Sequence, residues 1–182
     1  MSRPLEDVTI LDCTWVLSGP YASMVLSDLG ADVIKVERPP WGDISRTTGP
    51  YQNGWSGYFF SVNRGKRSTV IDLREVGRVL FRRLAEKVDA VMGNYTPGTM
   101  EKLGIGYEAV AERNRRLIFA STSGFGQTGP YADRPALDII VQAIGGVMSI
   151  TGEPGGPPVR PGSGASGVGA QMYKCCCILT IL

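Results

Sequence analysis

The sequence of 182 residues contains no histidine. This absence excludes a Ser-His-Asp or Cys-His catalytic centre, histidine general-base chemistry and the commonest zinc sites within the chain. A strong charge of either sign is also lacking, because 19 Lys and Arg residues face 17 Asp and Glu residues. Electrostatics therefore gives no case for binding nucleic acid or an anionic membrane surface.

Cysteine spacing of the C-x-x-C type is absent as well. Of the four cysteines, Cys13 lies in an apolar run and the other three are consecutive at 175–177, which supports neither a disulfide framework nor a metal knuckle. The N-terminus has no signal-peptide-like apolar stretch, and no run approaches the ~20 apolar residues of a membrane span. We predict a cytoplasmic protein, or a mitochondrial matrix protein if a targeting segment was removed.

What is present is an alternation of β-branched runs and amphipathic segments. The runs predict strands at 8–13, 31–37, 68–73, 90–92 and 117–121. Helical spacing predicts helices at 21–29, 76–88, 99–103, 107–114, 138–148 and 170–182. This order is typical of an α/β protein with a Rossmann-like, mostly parallel sheet, whose ligands bind beyond the carboxyl ends of the strands.

Two segments do not fit simple connections. Residues 38–67 are polar and aromatic and too long to be a plain loop, so we expect them to be functional. Residues 145–169 are rich in glycine and proline, and the helical patterns on both sides favour an ordered loop over a linker. The apolar helix pattern at 170–182 has neither a polar last turn nor a cap, which predicts that the natural protein continues beyond it.

Several polar residues occupy positions where such a sheet binds ligands. Arg38 follows the second strand, where a guanidinium suits a phosphate or a planar base, although the sequence alone favours a solvated surface arginine. Arg64, Lys66 and Arg67 precede the third strand and form either a phosphate clamp or a basic turn. Asn94 follows the fourth strand and can bond a thioester or an amide, or cap a turn.

Two further motifs have simpler interpretations. Residues 124–129 match G-x-G-x-x-G, but Pro130 and loop residues follow instead of a helix, so a dinucleotide site is not expected. Asp138 opens an apolar helical pattern and is predicted to be its N-terminal cap.

A set of colinear motifs covers nearly the whole chain. They are Leu5–Asp12, Ser18–Pro20, Leu29–Pro39, Gly42–Asp43, Tyr58–Phe59, Asn63–Ser68, Asn94–Gly98, Leu103–Gly104, Ser123–Pro130, Asp138, Ser149–Gly152 and Gly156–Arg160. In these motifs the chain resembles the family III CoA-transferases, which include formyl-CoA, carnitine and glutarate CoA-transferases.

The resemblance implies a fold and an activity. Members are interlocked homodimers, and residues 1–182 would be the N-terminal portion of the large CoA-binding domain. They move coenzyme A from an acyl-CoA to a carboxylic acid acceptor through an aspartyl-CoA intermediate, with acyl-CoA as a substrate and no permanently bound cofactor. A carboxylate nucleophile needs no activating base, which agrees with the absence of histidine.

The resemblance also implies contacts with CoA. By matching position, Arg38, Asn94 and Lys102 would contact the coenzyme, and Lys66 and Arg67 would be phosphate partners. Lys102 stands where some members have arginine, so the charge is kept but the bidentate geometry is lost.

The nucleophile is the departure from the family pattern. Gly167 occupies the position of the nucleophilic aspartate, and Gly169 and Gln171 also differ from the usual small-residue pattern. The chain is then either a CoA-transferase that is inactive by the family mechanism or a non-catalytic acyl-CoA-binding homologue. A related acyl-CoA racemase is a further alternative, but its catalytic histidine would stand at Leu137.

Overall fold

The computed structural model describes residues 2–74, 76–162 and 164–182. Its strands are β1 Thr9–Asp12, β2 Asp32–Glu37, β3 Tyr51–Gln52, β4 Trp55–Ser56, β5 Arg67–Val70, β6 Ala90–Gly93 and β7 Ile118–Ser121. The helices are α1 Ser18–Asp28, α2 Gly57–Asn63, α3 Val76–Ala85, α4 Thr99–Lys102, α5 Tyr107–Ala111, α6 Asp138–Ile144 and α7 Ala165–Ile181, with 3₁₀ turns at Ile44–Thr47 and Val147–Ile150. The predicted α/β class and the parallel sheet are confirmed.

The main sheet has five parallel strands in the order β5-β2-β1-β6-β7. In the central register, Leu11 lies opposite Ile34 on one side and Val91 on the other. The chain winds outward from β1 to β5 in one direction and from β6 to β7 in the other. The order therefore reverses between β1 and β6, and open α/β sheets bind ligands beyond the carboxyl ends of the strands at such a point.

Apolar side chains are buried on both faces of this sheet, as expected for parallel strands covered by helices. One face packs Leu11, Val36 and Val91 against α3 and the segment that contains α4 and α5. The other packs Ile10, Val33 and Ala90 against α1 and α7. Because side chains alternate between the two faces along β1 and β2, these strands contribute residues to two separate cores.

The segment 38–67 contains short regular elements that periodicity did not reveal. It comprises the first 3₁₀ turn, the antiparallel β3–β4 hairpin and α2. The side chain of Ser56 accepts a hydrogen bond from the Phe59 N–H at 3.0 Å and so caps α2. These elements were missed because each is too short to show a periodic pattern.

Two local predictions were wrong. Helix α7 begins at Ala165, so Gly167 lies in its first turn and not in a loop. Asp138 is the first residue of α6, Leu137 is the N-cap, and α6 has no side-chain cap. The Asp138 carboxylate instead bonds across to α7, because the Gly167 N–H donates to its Oδ1 at 3.1 Å.

Two searches of the described residues gave negative findings. No helix there is long and apolar enough to cross a membrane. Within the same ranges, no three His, Cys, Asp or Glu residues gather into a possible metal site.

Candidate functional site

A pocket of about 80 Å³ opens at the carboxyl ends of β1, β2, β5 and β6. Its lining residues come from the chain just after each of these strands or from their last residues. They are Cys13, Thr14, Trp15, Lys35, Val36, Glu37, Arg38, Gly42, Asp43, Leu73 and Tyr95. We call this the edge pocket, and it borders the point at which the strand order reverses.

Of the predicted site residues, Arg38 lines this pocket and Asn94 contacts one of its lining residues. Arg38 is exposed at its rim. Asn94 holds the backbone of Trp15, accepting from its N–H at 3.0 Å and donating to its carbonyl at 2.9 Å. The Trp15 and Tyr95 rings are stacked, with centroids 6.2 Å apart. Asn94 thereby positions an aromatic wall of the pocket, while its contact with CoA stays a prediction.

The loop after β1 is fixed by side chains from several elements. Asp12 Oδ1 accepts from the Thr14 N–H at 2.9 Å, and Lys35 Nζ donates to the Thr14 carbonyl at 2.8 Å. Asp43 Oδ1 accepts from the Val16 N–H at 3.1 Å. With the bonds of Asn94, consecutive residues of this loop are thus each held by a buried or half-buried polar side chain.

Val16 shows why such holding is needed. Its φ is +69°, in a region that β-branched residues rarely adopt. Such backbone conformations cost about 1–3 kcal/mol and persist only where the surroundings over-determine them. The bond to Asp43 supplies that constraint. The conformation of the loop is therefore set by its contacts with other elements and not by the backbone preference of Val16.

Buried ion pairs lie directly beneath the loop. Lys35 Nζ is 2.8 Å from Asp43 Oδ2, with both side chains 1% exposed. Lys66 Nζ is 2.9 Å from Asp12 Oδ2, with side chains 2% and 0% exposed. Burial alone would raise the pKa of the Asp12 carboxyl, but the two lysines and bonds from Ser23 and Thr14 outweigh it and hold that pKa well below its usual range. We call Asp12, Lys35, Asp43 and Lys66 the edge network.

Glu37 fixes another part of the pocket lining. Its carboxylate takes a bidentate pair of bonds from Arg46, both at 2.7 Å, and a bond from Ser68 Oγ at 2.6 Å. Burial would raise its pKa, but these donors lower it to about 2. A Cβ on Gly42 would lie only 2.4 Å from Glu37 Oε2, and Gly42 has a φ of +72°. Only glycine fits this close approach.

The structure separates the three other predicted cations from the pocket lining. The Lys66 ammonium also bonds the Pro20 carbonyl and Asn63 Oδ1, both at 2.9 Å. With Asp12, these bonds use all three of its donors, so Lys66 has a structural role here, while its contact with a phosphate stays a prediction. Arg67 pairs with Asp32, the first residue of β2, at the opposite end of that strand from Arg38. Lys102 is exposed at the end of α4.

Position 167 lies close to the same edge. A Cβ placed on Gly167 would lie 3.8 Å from Asp138 Oδ1 and 3.9 Å from Ser18 Cβ, so a side chain has room there. One on Gly164 would lie 3.3 Å from Leu17 Cδ2. The start of α7 therefore packs on the end of the loop whose earlier residues line the edge pocket.

Sequence reasoning missed the edge network and the aromatic pair of Trp15 and Tyr95. A signal for the network was present, since Asp12, Lys35 and Glu37 interrupt apolar strand patterns near strand ends. Polar residues in otherwise buried strands need partners. The sequence could not say which partners, because Asp43 and Lys66 come from the irregular segment 38–67.

The sequence was also compared with those of known proteins. The model of CoA-transferase family III matches residues 5–182. An acetyl-CoA:oxalate CoA-transferase of Acetobacter aceti is 50% identical over 160 residues, which are 87% of this chain and 41% of that protein. Human succinyl-CoA:glutarate CoA-transferase is 44% identical over 173 residues, 94% of this chain and 40% of that protein.

A solved structure shares the fold. A CAIB/BAIF family protein from Brucella suis superposes with a TM-score of 0.94 at 40% identity, and the match covers 100% of this chain and 49% of that one. The chain thus spans about half the length of this structural relative and about 40% of the length of the two transferases. The match across residues 5–182 shows that the chain belongs to CoA-transferase family III.

Proposed function

We propose that the protein represented by this chain transfers coenzyme A from an acyl-CoA to a carboxylic acid, and that the edge pocket receives the nucleotide end of the coenzyme. The observation that carries the proposal is the position of Arg38 at the rim of a pocket beside the strand-order reversal. A guanidinium there offers several fixed donors to a phosphate or stacks on a planar base.

The size of the pocket limits what it can hold. About 80 Å³ is well below the ~300–1,000 Å³ of typical ligand sites. It can therefore take only one end of a molecule as long as CoA. We place the pantetheine arm along the loop 14–18, which leads from the pocket to the start of α7.

The acceptor is proposed from the names of the relatives, and the homodimer from exposed apolar surface. The relatives are named for oxalate and glutarate, so dicarboxylic acids are the acceptors to test first. Several large apolar side chains of α6, α7 and the turn between them are exposed, including Ile144, Ile150 and Tyr173. Exposed apolar surface of this kind is typical of a subunit contact, which supports a homodimer.

The test of this proposal is the effect of Arg38→Ala on CoA affinity, measured by calorimetry. We expect binding to weaken about 10- to 150-fold, since a charge-assisted bond contributes ~1.5–3 kcal/mol. The salt dependence of binding should fall as well, because phosphate contacts are screened over ~8 Å at physiological ionic strength.

Arg113→Ala is the matched control. Arg113 is an exposed arginine paired with Glu86 and lies outside the pocket lining, so its loss should leave CoA affinity unchanged. Equal affinities for Arg38→Ala and the parent chain would remove Arg38 from the binding site.

A second candidate is an acyl-CoA-binding protein without transferase activity. Gly167 favours it, because this residue has no side chain to attack a thioester. An assay with acetyl-CoA or succinyl-CoA and a panel of dicarboxylic acids separates the two candidates. Transfer of CoA supports the first, and saturable binding without transfer supports the second.

A further inference from the structure

The buried face of α7 changes from apolar to polar toward the start of the helix. Cys175 and Ile178 lie in the core shared with α1. Closer to the amino end, the same face carries Gln171 and Lys174, which are 0% and 6% exposed, and the half-buried Gly167. Their spacing follows the period of a helix, so the five residues form one face. Buried polar side chains are normally hydrogen-bonded, and the polar half of this face therefore requires partners.

The amide of Gln171 is buried without a partner among the described residues. Neither its oxygen nor its nitrogen is hydrogen-bonded there. A side chain on a helix lies over the turn that precedes its own Cα, so the amide is directed toward the turn that contains Gly167. Leaving a buried amide unpaired costs free energy, which a bound molecule that bonds it would offset.

Lys174 is a buried cation bonded to a backbone carbonyl. The buried lysines Lys35 and Lys66 each pair with an aspartate, whereas Lys174 bonds the Gly93 carbonyl at 2.8 Å and no carboxylate of the described residues. Gly93 is the last residue of β6, next to the reversal of strand order. The charge of Lys174 therefore lies at the edge of the sheet where ligands are expected.

The occupant that suits both side chains is an anion. An internal water would bond the amide of Gln171, but it would leave the ammonium charge of Lys174 uncompensated, and an uncompensated buried charge is strongly unfavourable. A carboxylate accepts from an ammonium and from an amide N–H at once. Residues three apart on a helix are neighbours, with about 5–6 Å between their Cβ atoms, so the two donors can share one carboxylate.

Gly167 leaves an opening toward this pair. Among the described residues, a Cβ placed on Gly167 would have only Asp138 Oδ1 and Ser18 Cβ within 4 Å, at 3.8 and 3.9 Å. The opening adjoins the loop 14–18, along which we place the pantetheine arm. Asp138 repels an anion, but it lies beside residue 167. At 1.5 Å per residue, Gln171 and Lys174 lie about 6 and 10 Å further along the helix.

We propose that Gln171 and Lys174 bind a carboxylate of the acid that exchanges CoA, and that this acid enters beside Gly167. The nature of the acid rests on the proposed CoA transfer. The pair holds one carboxylate of the acid at the same edge of the sheet as the edge pocket. It thereby helps to determine which acids the protein accepts.

The experiment is calorimetry of oxalate and glutarate binding to the protein, with and without saturating CoA. Gln171→Met and Lys174→Met each remove a donor and keep an unbranched side chain. We expect each variant to bind the acids about tenfold more weakly or worse, because a bond to a charged group is lost, while the affinity for CoA stays unchanged. Circular dichroism and urea denaturation check that the variants are folded.

The matched controls are exposed residues and a neutral ligand. Gln127→Met and Lys87→Met change exposed residues of the same types and should leave the affinity for the acids within roughly twofold of the parent. Oxamide has the shape of oxalate without its charge, so we expect it to bind at least about tenfold more weakly. An equal affinity for oxamide overturns the recognition of charge by Lys174.

Gln171→Glu separates ligand binding from packing. A glutamate three residues before Lys174 supplies an anion from within the helix, so we expect the protein to become more stable and to lose acid binding together. A purely structural role of Gln171 predicts no loss of acid binding. Acid binding that persists in Gln171→Glu overturns the inference.

Binding of CoA to the same samples distinguishes this inference from the proposed function. A parent protein that binds CoA but neither acid overturns the carboxylate site and leaves the proposed CoA binding standing. The same follows if Gln171→Met and Lys174→Met bind the acids as tightly as the parent does. A parent that binds the acids through these residues but does not bind CoA overturns the transfer function and leaves the carboxylate site standing. A parent that binds neither overturns both.

Discussion

Two regions of the molecule differ in whether their buried polar side chains have hydrogen-bond or ion-pair partners. In the edge network, the lysines and aspartates are matched at 2.8 and 2.9 Å. In the helix pair α6 and α7, Gln171 is fully buried, and its amide has no hydrogen-bond partner among the described residues. The Lys174 ammonium is buried as well, and bonds the Gly93 carbonyl at 2.8 Å.

This difference indicates which backbone segments are fixed by polar contacts and which depend on apolar packing. A buried charge with a partner fixes the backbone around it, whereas a buried polar group without one costs free energy and fixes nothing. The loop that lines the pocket is therefore set by the edge network. The helix pair depends on its apolar contacts, such as Ile178 in the core shared with α1.

The largest expected effect comes from breaking the edge network. Asp12→Ala should lower the free energy of unfolding by about 3–5 kcal/mol, because it leaves the buried Lys66 without its anion. Urea denaturation measures the change. Glu86→Ala removes an exposed ion pair with Arg113 and should cost at most about 1 kcal/mol.

A second variant sharpens this test. Adding Lys66→Met to Asp12→Ala should recover part of the loss, because a buried apolar residue replaces an unpaired charge. If Asp12→Ala costs no more than Glu86→Ala, the network does not stabilise the fold.

An intermediate effect is expected in the helix pair. Burial lowers the pKa of Lys174 to about 8, below the ~10.4 of an unfolded lysine. Between these values the unfolded chain binds more protons, so stability should rise as the pH rises from about 8 to about 10.4. Lys174→Met should abolish this contribution and stabilise the chain by about 1–3 kcal/mol at pH 7.

The control for Lys174 is an exposed lysine. Lys87→Met should leave the stability at pH 7 and its slope between pH 8 and 10 close to those of the parent. Urea midpoints at pH 7, 8, 9 and 10 give both quantities. Identical slopes for the two lysine variants would show that Lys174 is not titrated differently by folding.

The smallest effect concerns Gln171. Gln171→Met keeps the side-chain length and removes the unpaired amide, so we expect a gain of about 1–2 kcal/mol. Gln127→Met changes an exposed glutamine and should stay within ~0.5 kcal/mol of the parent. A loss of stability in Gln171→Met would mean that the amide is satisfied in solution.

The fold was largely readable from the chain. The five strands of the main sheet coincide with the predicted runs to within three residues at either end. The central strands β1, β2 and β6 are predictable because burial on both faces demands continuous apolar, β-branched runs. The short elements between 38 and 67 were missed, since two-residue strands and a single 3₁₀ turn have no period to detect.

The site was predictable only in part. Arg38 and Asn94 were placed correctly at the sheet edge, because the residue after a parallel strand must emerge there. Lys66 was predicted from its sequence position to be a phosphate partner, and the sequence did not reveal that its ammonium bonds Asp12. Sequence position gives the level of a residue along a strand, but it does not give the side chain's direction in an irregular connection.

By itself, the sequence determined the parallel α/β sheet, the edge at which ligands are expected and the absence of histidine chemistry. Those features depend on residue type and on periodicity along the chain, whereas the missing carboxylate at Gly167 was implied only by the resemblance to a family. Only the tertiary structure decided that Asp12 pairs with Lys66, that Asp43 holds Val16, and that Asp138 lies beside Gly167. Each of these contacts joins elements that are distant in sequence, and their distances are set by how the helices pack on the sheet.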